Sequence, residues 1–345
     1  MGVKQGILLT FDYELFQGKR SGSVENCMIR PTDKILALLA KHKAKSVFFI
    51  DMMYLCRLKE MAAKYETAKK DFNRVEAQLI DIASQGHYVF NHLHPHWLDA
   101  EYNAEANEWT LLNDSKYAFD SLSKQEREYV FDTTMGLLNE ILSKAKTKQK
   151  PDGYRAGGLY IQPFPIFKEH FDKHGITSEF SVLMNATGKL SNGHSSFDFS
   201  GVRKSIYNFS DEVATEDAQG QYTEYAMPLI DIPFHYKVMN SLFFRLFAKS
   251  ANHKRYGDGL STANTIRPAA NGRASSNETF SVEMLNQVKL PLYIKAANET
   301  NYLPLLSHPK LVSDYNLKTF DELLYKLRKG DNVEFDFKKF EWKKF

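Results

Sequence analysis

Three histidines fall within the seven-residue segment 91–97, Asn-His-Leu-His-Pro-His-Trp, and they are the side chains of this sequence best suited to bind a metal ion. Proline disfavours helix at the residue before it but suits the first position of a helix. Pro95 therefore predicts His92 and His94 on extended chain and His96 on the first turn that follows. An H-x-x-x-H pair across such a bend could direct two imidazoles at one ion. Solvated loop histidines are the alternative. A metal site also needs an acidic ligand from elsewhere in the chain.

The segment 10–14, Thr-Phe-Asp-Tyr-Glu, offers two candidates for that acid. It follows an apolar run over residues 6–11, which predicts a strand buried on both faces. Successive side chains alternate along a strand, so Asp12 and Glu14 share one face and Tyr13 lies on the other. Two adjacent carboxylates repel each other unless a cation or an arginine lies between them. The pair therefore indicates a cation site, and two solvated acids at the start of a loop are the alternative.

Strands that alternate with helices are predicted to position these groups. Apolar or alternating runs predict strands at residues 6–11, 46–50, 87–91, 176–182, 225–236, 303–308 and 333–337, and residues 153–158 predict a short strand that runs into a glycine turn. Apolar stripes, capping signals and glycine stops predict helices from residue 32, over 53–84 with an interruption, over 165–174, over 282–298 with an interruption at Pro291, and over 319–328. Residues 123–126 form a capping-box pattern, which predicts a further helix over 123–144. Residues 250–281, rich in small and polar residues, predict a long loop.

The β–α–β succession predicts an α/β fold with a parallel sheet, either open or closed into a barrel. The positions of the polar residues favour the barrel, because parallel α/β folds build their sites at the carboxyl ends of strands. Seven polar residues fall at or just after predicted strand ends: Asp12, Glu14, Asp51, His92, His96, Arg155 and His308. For Asp51 alone, a strand end without a role is the alternative. We expect a single domain over residues 1–345, with a loop or helical insertion at about residues 237–300.

The composition is that of an ordinary soluble globular protein, with 345 residues, 43% hydrophobic and 25% charged. A net charge of +3 gives no case for nucleic acid or an anionic membrane as partner. Two cysteines cannot form a disulfide framework, and the apolar run near the amino terminus is too short for a signal peptide or an anchor. We therefore expect a cytoplasmic protein without membrane insertion. The sequence does not determine its oligomeric state.

Four segments resemble, in chain order, motifs of the polysaccharide deacetylase superfamily with NodB homology, which includes carbohydrate esterase family 4. Residues 10–14 are similar to its T-F-D-D motif and residues 92–96 to its H-[ST]-x-x-H motif. Residues 155–158, Arg-Ala-Gly-Gly, resemble its arginine and turn, and residues 303–308 its strand that ends in histidine. Segments 10–16, 21–27 and 92–97 further resemble a bacterial branch associated with lipopolysaccharide O-antigen and capsule clusters. The resemblance implies a distorted, incomplete (β/α) barrel of about seven parallel strands.

The resemblance also implies a metal-dependent deacetylase that hydrolyses an N-acetyl group of a sugar during surface polysaccharide biosynthesis. It implies that Zn²⁺, or another divalent transition metal, is held by Glu14, His92 and His96. Its implied acid–base residues are Asp12, which deprotonates water, Arg155, which pairs with Asp12, and His308, which protonates the leaving amine. A backbone N–H in the turn formed by Gly157 and Gly158 would stabilise the oxyanion. Around the metal or the substrate we expect His94, Asp51, Tyr13 and Asp198.

Two features depart from the superfamily's pattern. Tyr13 stands where the common motif has its metal-binding acid, and Glu14 resembles members in which that acid is shifted by one position. The superfamily also has an aspartate that tunes the catalytic histidine, and in this sequence either Asp198 or Asp231 could take that role. One alternative is an amidohydrolase of the same fold that acts on a small non-sugar amide. Another is a non-catalytic carbohydrate-binding relative, for which Tyr13 is the only support.

Overall fold

The computed structural model describes residues 5–18, 20–113, 115–189, 195–247, 251–260, 277–300, 302–329 and 333–340. The strands, in chain order, are β1 (Gln5–Tyr13), β2 (Val47–Asp51), β3 (Tyr88–Leu93), β4 (Glu101–Asn103), β5 (Glu108–Thr110), β6 (Gly153–Ala156), β7 (Ser178–Glu179), β8 (Thr187–Lys189), β9 (Ser196–Asp198), β10 (Ile206–Phe209), β11 (Tyr222–Tyr225), β12 (Leu229–Asp231), β13 (Asn277–Thr279), β14 (Tyr302–Ser307) and β15 (Val333–Glu334). The α-helices are α1 (Arg30–Lys41), α2 (Met52–Ala62), α3 (Glu66–Ser84), α4 (Lys124–Ser143), α5 (Pro165–His174), α6 (Phe234–Phe247), α7 (Leu290–Glu299) and α8 (Asp314–Arg328).

A nine-stranded sheet lies at the centre of the described chain. Its order is β10-β11-β7-β6-β3-β2-β1-β14, and β15 pairs with the start of β1. The seven strands from β11 to β14 in this order are parallel, and β10 is antiparallel at the edge. In the part of the chain that the structure describes, the sheet ends at β10 and β14 without closing. These features confirm the predicted α/β class and the incomplete barrel of about seven parallel strands.

Alternate side chains of the sheet enter two different hydrophobic clusters. Ile7, Leu9 and Phe11 of β1 pack in the large cluster that also contains the inner faces of the helices. Leu8 belongs to a second cluster on the other face, together with aromatic side chains of β2, β3 and β14 and of the last described turn. Thr10 and Asp12 follow Leu8 on this second face because side chains alternate along a strand. The polar site therefore lies at one end of an aromatic layer.

Several predicted elements are confirmed at close to their predicted bounds. The helix predicted over 165–174 is α5, and α4 begins after Ser123, which forms the predicted capping box with Glu126. The interruption predicted within residues 53–84 separates α2 from α3. The strands predicted at 6–11, 46–50, 87–91 and 303–308 are β1, β2, β3 and β14.

The prediction of a single strand over residues 225–236 is wrong. β11 ends at Tyr225, β12 covers only Leu229–Asp231, and α6 starts at Phe234. Pro233 explains the change, because its carbonyl accepts from the N–H of Tyr236 and its ring suits a helix start.

Proline also corrects the helix predicted over 282–298. Pro291 occupies the first turn of α7 instead of interrupting a longer helix. The strands predicted over 176–182 and 333–337 shrink to the short β7 and β15. Most of the loop predicted over 250–281 falls on residues 261–276, outside the described residues, and β13 begins at Asn277.

The helices of the described chain are too short or too polar to cross a lipid bilayer.

Candidate metal centre and acid–base pair

Strand pairing brings predicted site residues into one place. Asp51 of β2 pairs with His92 of β3, and His92 pairs with Arg155 of β6. Paired residues of parallel strands project from the same face of the sheet. Asp12 lies on the same face near the end of β1, and Glu14 follows it two residues later. The carboxyl ends of four neighbouring strands thus meet at one site, as the sequence predicts.

Glu14, His92 and His94 form a buried group whose ligand atoms face one another. His94 Nε2 lies 2.9 Å from Glu14 Oε2 and 3.0 Å from His92 Nε2, and His92 Nε2 lies 3.3 Å from Glu14 Oε2. His92 Nδ1 is 2.9 Å from the carbonyl oxygen of Arg155. Donation of Nδ1–H to that carbonyl leaves the Nε2 lone pair facing the group. Among the described residues, these three satisfy the spacing expected of metal ligands.

The donor set fits a divalent transition metal. A carboxylate with two imidazoles is a known ligand set of catalytic zinc, which keeps a further position open. Ligand atoms at about 2.0–2.2 Å from a tetrahedral ion lie roughly 3.3–3.6 Å apart. The three observed separations of 2.9, 3.0 and 3.3 Å are close to those values. Burial lowers the pKa of His94 to about 4, so this imidazole is neutral and its nitrogen is available as a ligand.

Lys310 is a member of the site that the sequence did not reveal. Its Nζ lies 2.8 Å from Glu14 Oε1 and 2.6 Å from the carbonyl oxygen of Leu15, and its side chain is buried. Burial opposes ionisation of Glu14, but Lys310 and then His94 lower the pKa of Glu14 well below its ordinary value. Gln17 also donates to Glu14 Oε2, at 3.2 Å. The one sequence signal for Lys310 is its position two residues after His308.

Asp12 and Arg155 form the predicted buried ion pair. Arg155 Nη1 lies 2.6 Å from Asp12 Oδ1 and 3.1 Å from Thr10 Oγ1, and the guanidinium carbon lies 4.0 Å above the Phe49 ring. Burial alone would raise the pKa of Asp12, but Arg155 and then His92 lower it. Asp12 is therefore held ionised, with its other oxygen directed towards His92 and His308.

His308 stands beside Asp12 at the accessible side of the site. Its Nε2 lies 3.7 Å from Asp12 Oδ2, and its side chain is 26% exposed, compared with 6% for Asp12. Glu283 Oε1 accepts from His308 Nδ1 at 3.0 Å. Burial opposes protonation of His308, but the hydrogen bond to Glu283 and the charge of Asp12 raise its pKa. A carboxylate therefore raises the pKa of His308. The resemblance implies an aspartate in this role, but the carboxylate here is that of Glu283.

The two aspartates expected in that role lie elsewhere. The exposed carboxylate of Asp198 accepts from the N–H of Ser200 in a turn after β9. Asp231 is at the end of β12, where it pairs with Asn277 of β13. Glu283 was missed because it lies in a loop between β13 and α7, without a recognisable pattern around it.

The predicted ligand His96 lies outside the group of three. Pro95 begins a short 3₁₀ turn, Pro95–Asp99, which carries the His96 ring onto the Tyr117 ring at 5.5 Å with planes 7° apart. His94 remains on extended chain, where side chains two residues apart share a face, and so it accompanies His92. Both ring nitrogens of His96 are buried without a hydrogen-bond partner among the described residues. Strand alternation, which places residues two apart on one face, is a sequence signal that could have indicated His94, whereas the motif spacing indicated His96.

The Gly157–Gly158 turn lies directly against this histidine. A Cβ on Gly157 would come within 2.5 Å of the Leu93 carbonyl oxygen and 2.6 Å of His94 Nδ1. Gly158 has a φ of 59°, the left-handed region that favours glycine. These contacts explain why glycine is needed here. The oxyanion role of this turn stays a prediction.

Asp51 is buried beside the site, whereas Tyr13 lies on the other face of the sheet. Asp51 is fully buried and accepts from Trp97 Nε1 at 2.5 Å, and burial followed by the charge of Glu14 raises the pKa of Asp51 to about 8. Tyr13 projects to the helix side, where its hydroxyl donates to Gln78 Oε1 at 2.7 Å. Tyr13 is therefore a core residue that leaves the site to Asp12 and Glu14.

Comparisons with known proteins give only distant structural likenesses. No protein-family model matches the chain, and a search of curated proteins found no relative. One similar solved structure is a Mycobacterium smegmatis protein assigned as a polysaccharide deacetylase, with 12% identity, a TM-score of 0.46, and coverage of 96% of this chain and 87% of that one. Another is the catalytic domain of a peptidoglycan N-acetylglucosamine deacetylase from Eubacterium rectale, with 14% identity, a TM-score of 0.35, and coverage of 97% and 88%. Similarity at this level carries no weight for function.

Proposed function

We propose that this protein is a metal-dependent deacetylase that hydrolyses an N-acetyl group on a sugar. The observation that carries the proposal is a buried cluster in which a ligand set stands next to an acid–base pair. Glu14, His92 and His94 direct three ligand atoms at one point. Asp12 and His308 lie 3.7 Å apart beside them. Hydrolysis of an amide needs both groups, because water must lose a proton and the amine must gain one.

Glu14, His92 and His94 would hold the ion. When bound, a divalent ion of this kind polarises a carbonyl oxygen and increases the acidity of water. Asp12 accepts the proton of the attacking water at Oδ2, while Arg155 holds its other oxygen. The predicted ligand His96 is replaced in this proposal by His94.

His308 completes the reaction at the leaving group. It donates a proton from Nε2 to the departing amine, since Nδ1 is bound to Glu283. The Gly157–Gly158 turn borders His94 closely enough to offer a backbone N–H to the oxyanion. Water and the amide are thereby converted to acetate and a free amine.

The sequence resemblance supports a narrower role in O-antigen or capsule biosynthesis. The substrate in this proposal is an N-acetylated sugar or a glycan precursor, acted on in the cytoplasm by a single domain with an insertion at about residues 237–300. Tyr13, the one support for a non-catalytic relative, lies in the core and does not replace a site residue.

Metal analysis of the purified protein tests the ligand set. We expect about one divalent ion per chain and a sharp loss of occupancy in Glu14→Ala, His92→Ala and His94→Ala. His96→Ala should retain most of the metal, and His174→Ala on α5 serves as a matched histidine control. If His96→Ala lost the metal while His94→Ala kept it, the ligands would be those that the motif spacing predicts.

Release of acetate from a panel of N-acetylated sugars and small non-sugar amides tests the activity. Asp12→Asn and His308→Ala should keep the metal yet lose activity on the order of 10²–10⁴-fold, as expected for positioned proton-transfer groups. Hydrolysis of only the non-sugar amides would favour the related amidohydrolase. A metal-loaded protein with no hydrolysis of any amide would reject catalysis.

A further inference from the structure

Helix α6 turns an apolar face to solvent. Its exposed large apolar side chains are Phe234, Val238, Met239, Leu242 and Leu246. Phe234 is 79% exposed and Leu246 is 74% exposed. Their spacing places them on one side of the helix. A surface helix normally directs such a stripe at the core, and a contiguous exposed apolar patch marks an interaction site.

The opposite side of α6 holds the helix to the protein. Asn286 Nδ2 donates to Asn240 Oδ1 at 2.6 Å, and the Phe243 ring lies 5.4 Å from the Tyr315 ring. These contacts fix which side of α6 faces inward. The apolar stripe is therefore the outer face and not a misplaced core face.

The sequence around α6 is strongly basic. Residues 232–277 contain seven lysines and arginines and one acid, a net charge of +6, whereas the whole chain is +3 and the remainder is thus −3. Arg245 on α6 and Lys254 beyond it are exposed. The one acid, Asp258, already accepts from Ser23 and Asn26. A partner that covers the apolar face would therefore meet the positive charge of Arg245 on the same helix.

We propose that the outer face of α6 lies on an anionic lipid bilayer. A helix with bulky apolar residues on one face and basic residues beside them binds at the boundary between headgroups and acyl chains, lying on the membrane without spanning it. Each basic residue near an anionic leaflet adds further attraction. Such a surface supplies both an apolar layer for the stripe and negative charge for the basic stretch.

Other occupants fit less well. A second copy of the chain, joined through a twofold axis, would bring the same patch of both copies together and so place both Arg245 side chains in one interface. Residues 261–276 of the chain itself contain a single large apolar residue, Ile266, which is too little to cover five exposed side chains.

The position of α6 gives the contact a consequence for the site. Asn286, which anchors α6, lies in the same loop as Glu283, the partner of His308. Met284 in this loop is itself 43% exposed. Docking of α6 would hold the accessible side of the site close to the membrane.

Sedimentation of the full-length protein with lipid vesicles tests the proposal. We expect binding to vesicles of phosphatidylcholine with phosphatidylglycerol, weaker binding to phosphatidylcholine alone, and a decrease with added salt. Leu242→Ser combined with Leu246→Ser should lower the partition coefficient on the order of tenfold to a hundredfold. Arg245→Glu should lower it on the order of tenfold on the anionic vesicles alone.

Matched variants control for general effects. Leu112→Ser removes an exposed leucine outside α6, Lys64→Glu reverses an exposed charge outside the basic stretch, and both should bind as the wild type does. Asp12→Asn should also bind normally, because the contact does not depend on the proposed activity. The proposal would be overturned if the protein bound neither kind of vesicle, or if the double leucine variant bound as well as the wild type. A concentration-dependent dimer that the leucine changes dissolve would instead assign the face to a second copy.

Discussion

The carboxylate of Glu14 divides its two oxygens between different neighbours. Oε2 faces the nitrogens of His92 and His94, whereas Oε1 accepts from Lys310 at 2.8 Å. A partner on the outer oxygen fixes the orientation of a ligand carboxylate. The buried ammonium also balances a charge that burial alone would disfavour. Lys310 therefore positions Glu14. The sequence identified Glu14 as a ligand but gave no indication of Lys310.

A test at the same scale concerns the partner of His308. Glu283→Gln keeps an acceptor of nearly the same shape but removes the negative charge at His308 Nδ1. We expect kcat to fall on the order of tenfold to a hundredfold, with KM and metal content close to the wild type, because only the proton donor is affected. Steady-state kinetics with metal analysis measures both effects.

Glu278→Gln is the matched control for this change. The ion-pair partner of Glu278 is Lys289, eleven residues later in the chain, whereas that of Glu283 is His308. Equal kcat values for Glu283→Gln and the wild type would contradict the role given to Glu283. Partial recovery in Glu283→Asp would support it.

At the scale of elements, the site depends on how closely the turn after β6 approaches the end of β3. Gly157 leaves no room for a side chain, because the Leu93 carbonyl oxygen and the His94 ring occupy that position. The loop after one strand thereby sets the orientation of a ligand on its neighbour. Loops at strand ends of parallel sheets commonly shape sites in this way.

Gly157→Ala should therefore disturb the metal centre. We expect metal affinity to fall on the order of tenfold to a hundredfold, as for loss of a group that orients a ligand, and the free energy of unfolding to fall by about 1–3 kcal/mol. Titration with the metal and denaturant unfolding provide the two measurements.

Gly136→Ala is the control for Gly157→Ala, and it should change the stability in the opposite direction. Gly136 lies on an exposed position of α4, and a Cβ there would meet nothing within 4 Å. The change should stabilise the protein by about 0.5–1 kcal/mol, because alanine loses less entropy in a helix.

Normal metal binding by Gly157→Ala would contradict the prediction for that variant, because it would show that the turn can move away from His94.

At the scale of the whole molecule, the sheet buries histidines that are neutral in the folded state. His87, next to β3, is 4% exposed, and Ser46 Oγ lies 3.1 Å from its Nδ1. Burial, with a smaller effect of Lys45, lowers the pKa of His87 from 6.5 to about 4. Between these values the unfolded chain binds a proton that the folded chain does not, so stability falls as the pH falls from 6.5 towards 4.

Replacement of His87 should reduce this acid sensitivity. Between about pH 6.5 and about pH 4 the wild type should lose up to about 3 kcal/mol through this group, and His87→Gln should lose correspondingly less. The slope of the unfolding free energy against pH is the measurement, since the absolute stability of the variant also changes. His174→Gln is the control on α5. Parallel slopes for His87→Gln and the wild type would contradict the assignment.

Net charge illustrates what an average over the chain conceals. The value of +3 gave no reason to expect an anionic partner, but it combines a basic stretch at 232–277 with a slightly acidic remainder. The structure then shows that α6, which lies within that stretch, exposes its apolar face. Both observations were needed before a surface could be proposed.

The sequence by itself determined the fold class and most of the site. Apolar runs that end in polar residues predict parallel strands, and the shared carboxyl edge of such strands brings Asp12, Glu14, His92, Arg155 and His308 together. Period-two alternation also assigned Asp12 and Glu14 to one face and Tyr13 to the other. These results follow from local rules that every strand obeys, so they need no knowledge of the rest of the molecule.

Only the tertiary structure decided which neighbours these residues have. Lys310 and Glu283 reach the site from separate loops, and α6 takes its orientation from contacts with residues far away in the chain. His94 faces Glu14 in place of His96 because the 3₁₀ turn after Pro95 is held against Tyr117. Contacts of this kind depend on distances between segments that are remote in sequence. No local pattern encodes such distances, and packing alone sets them.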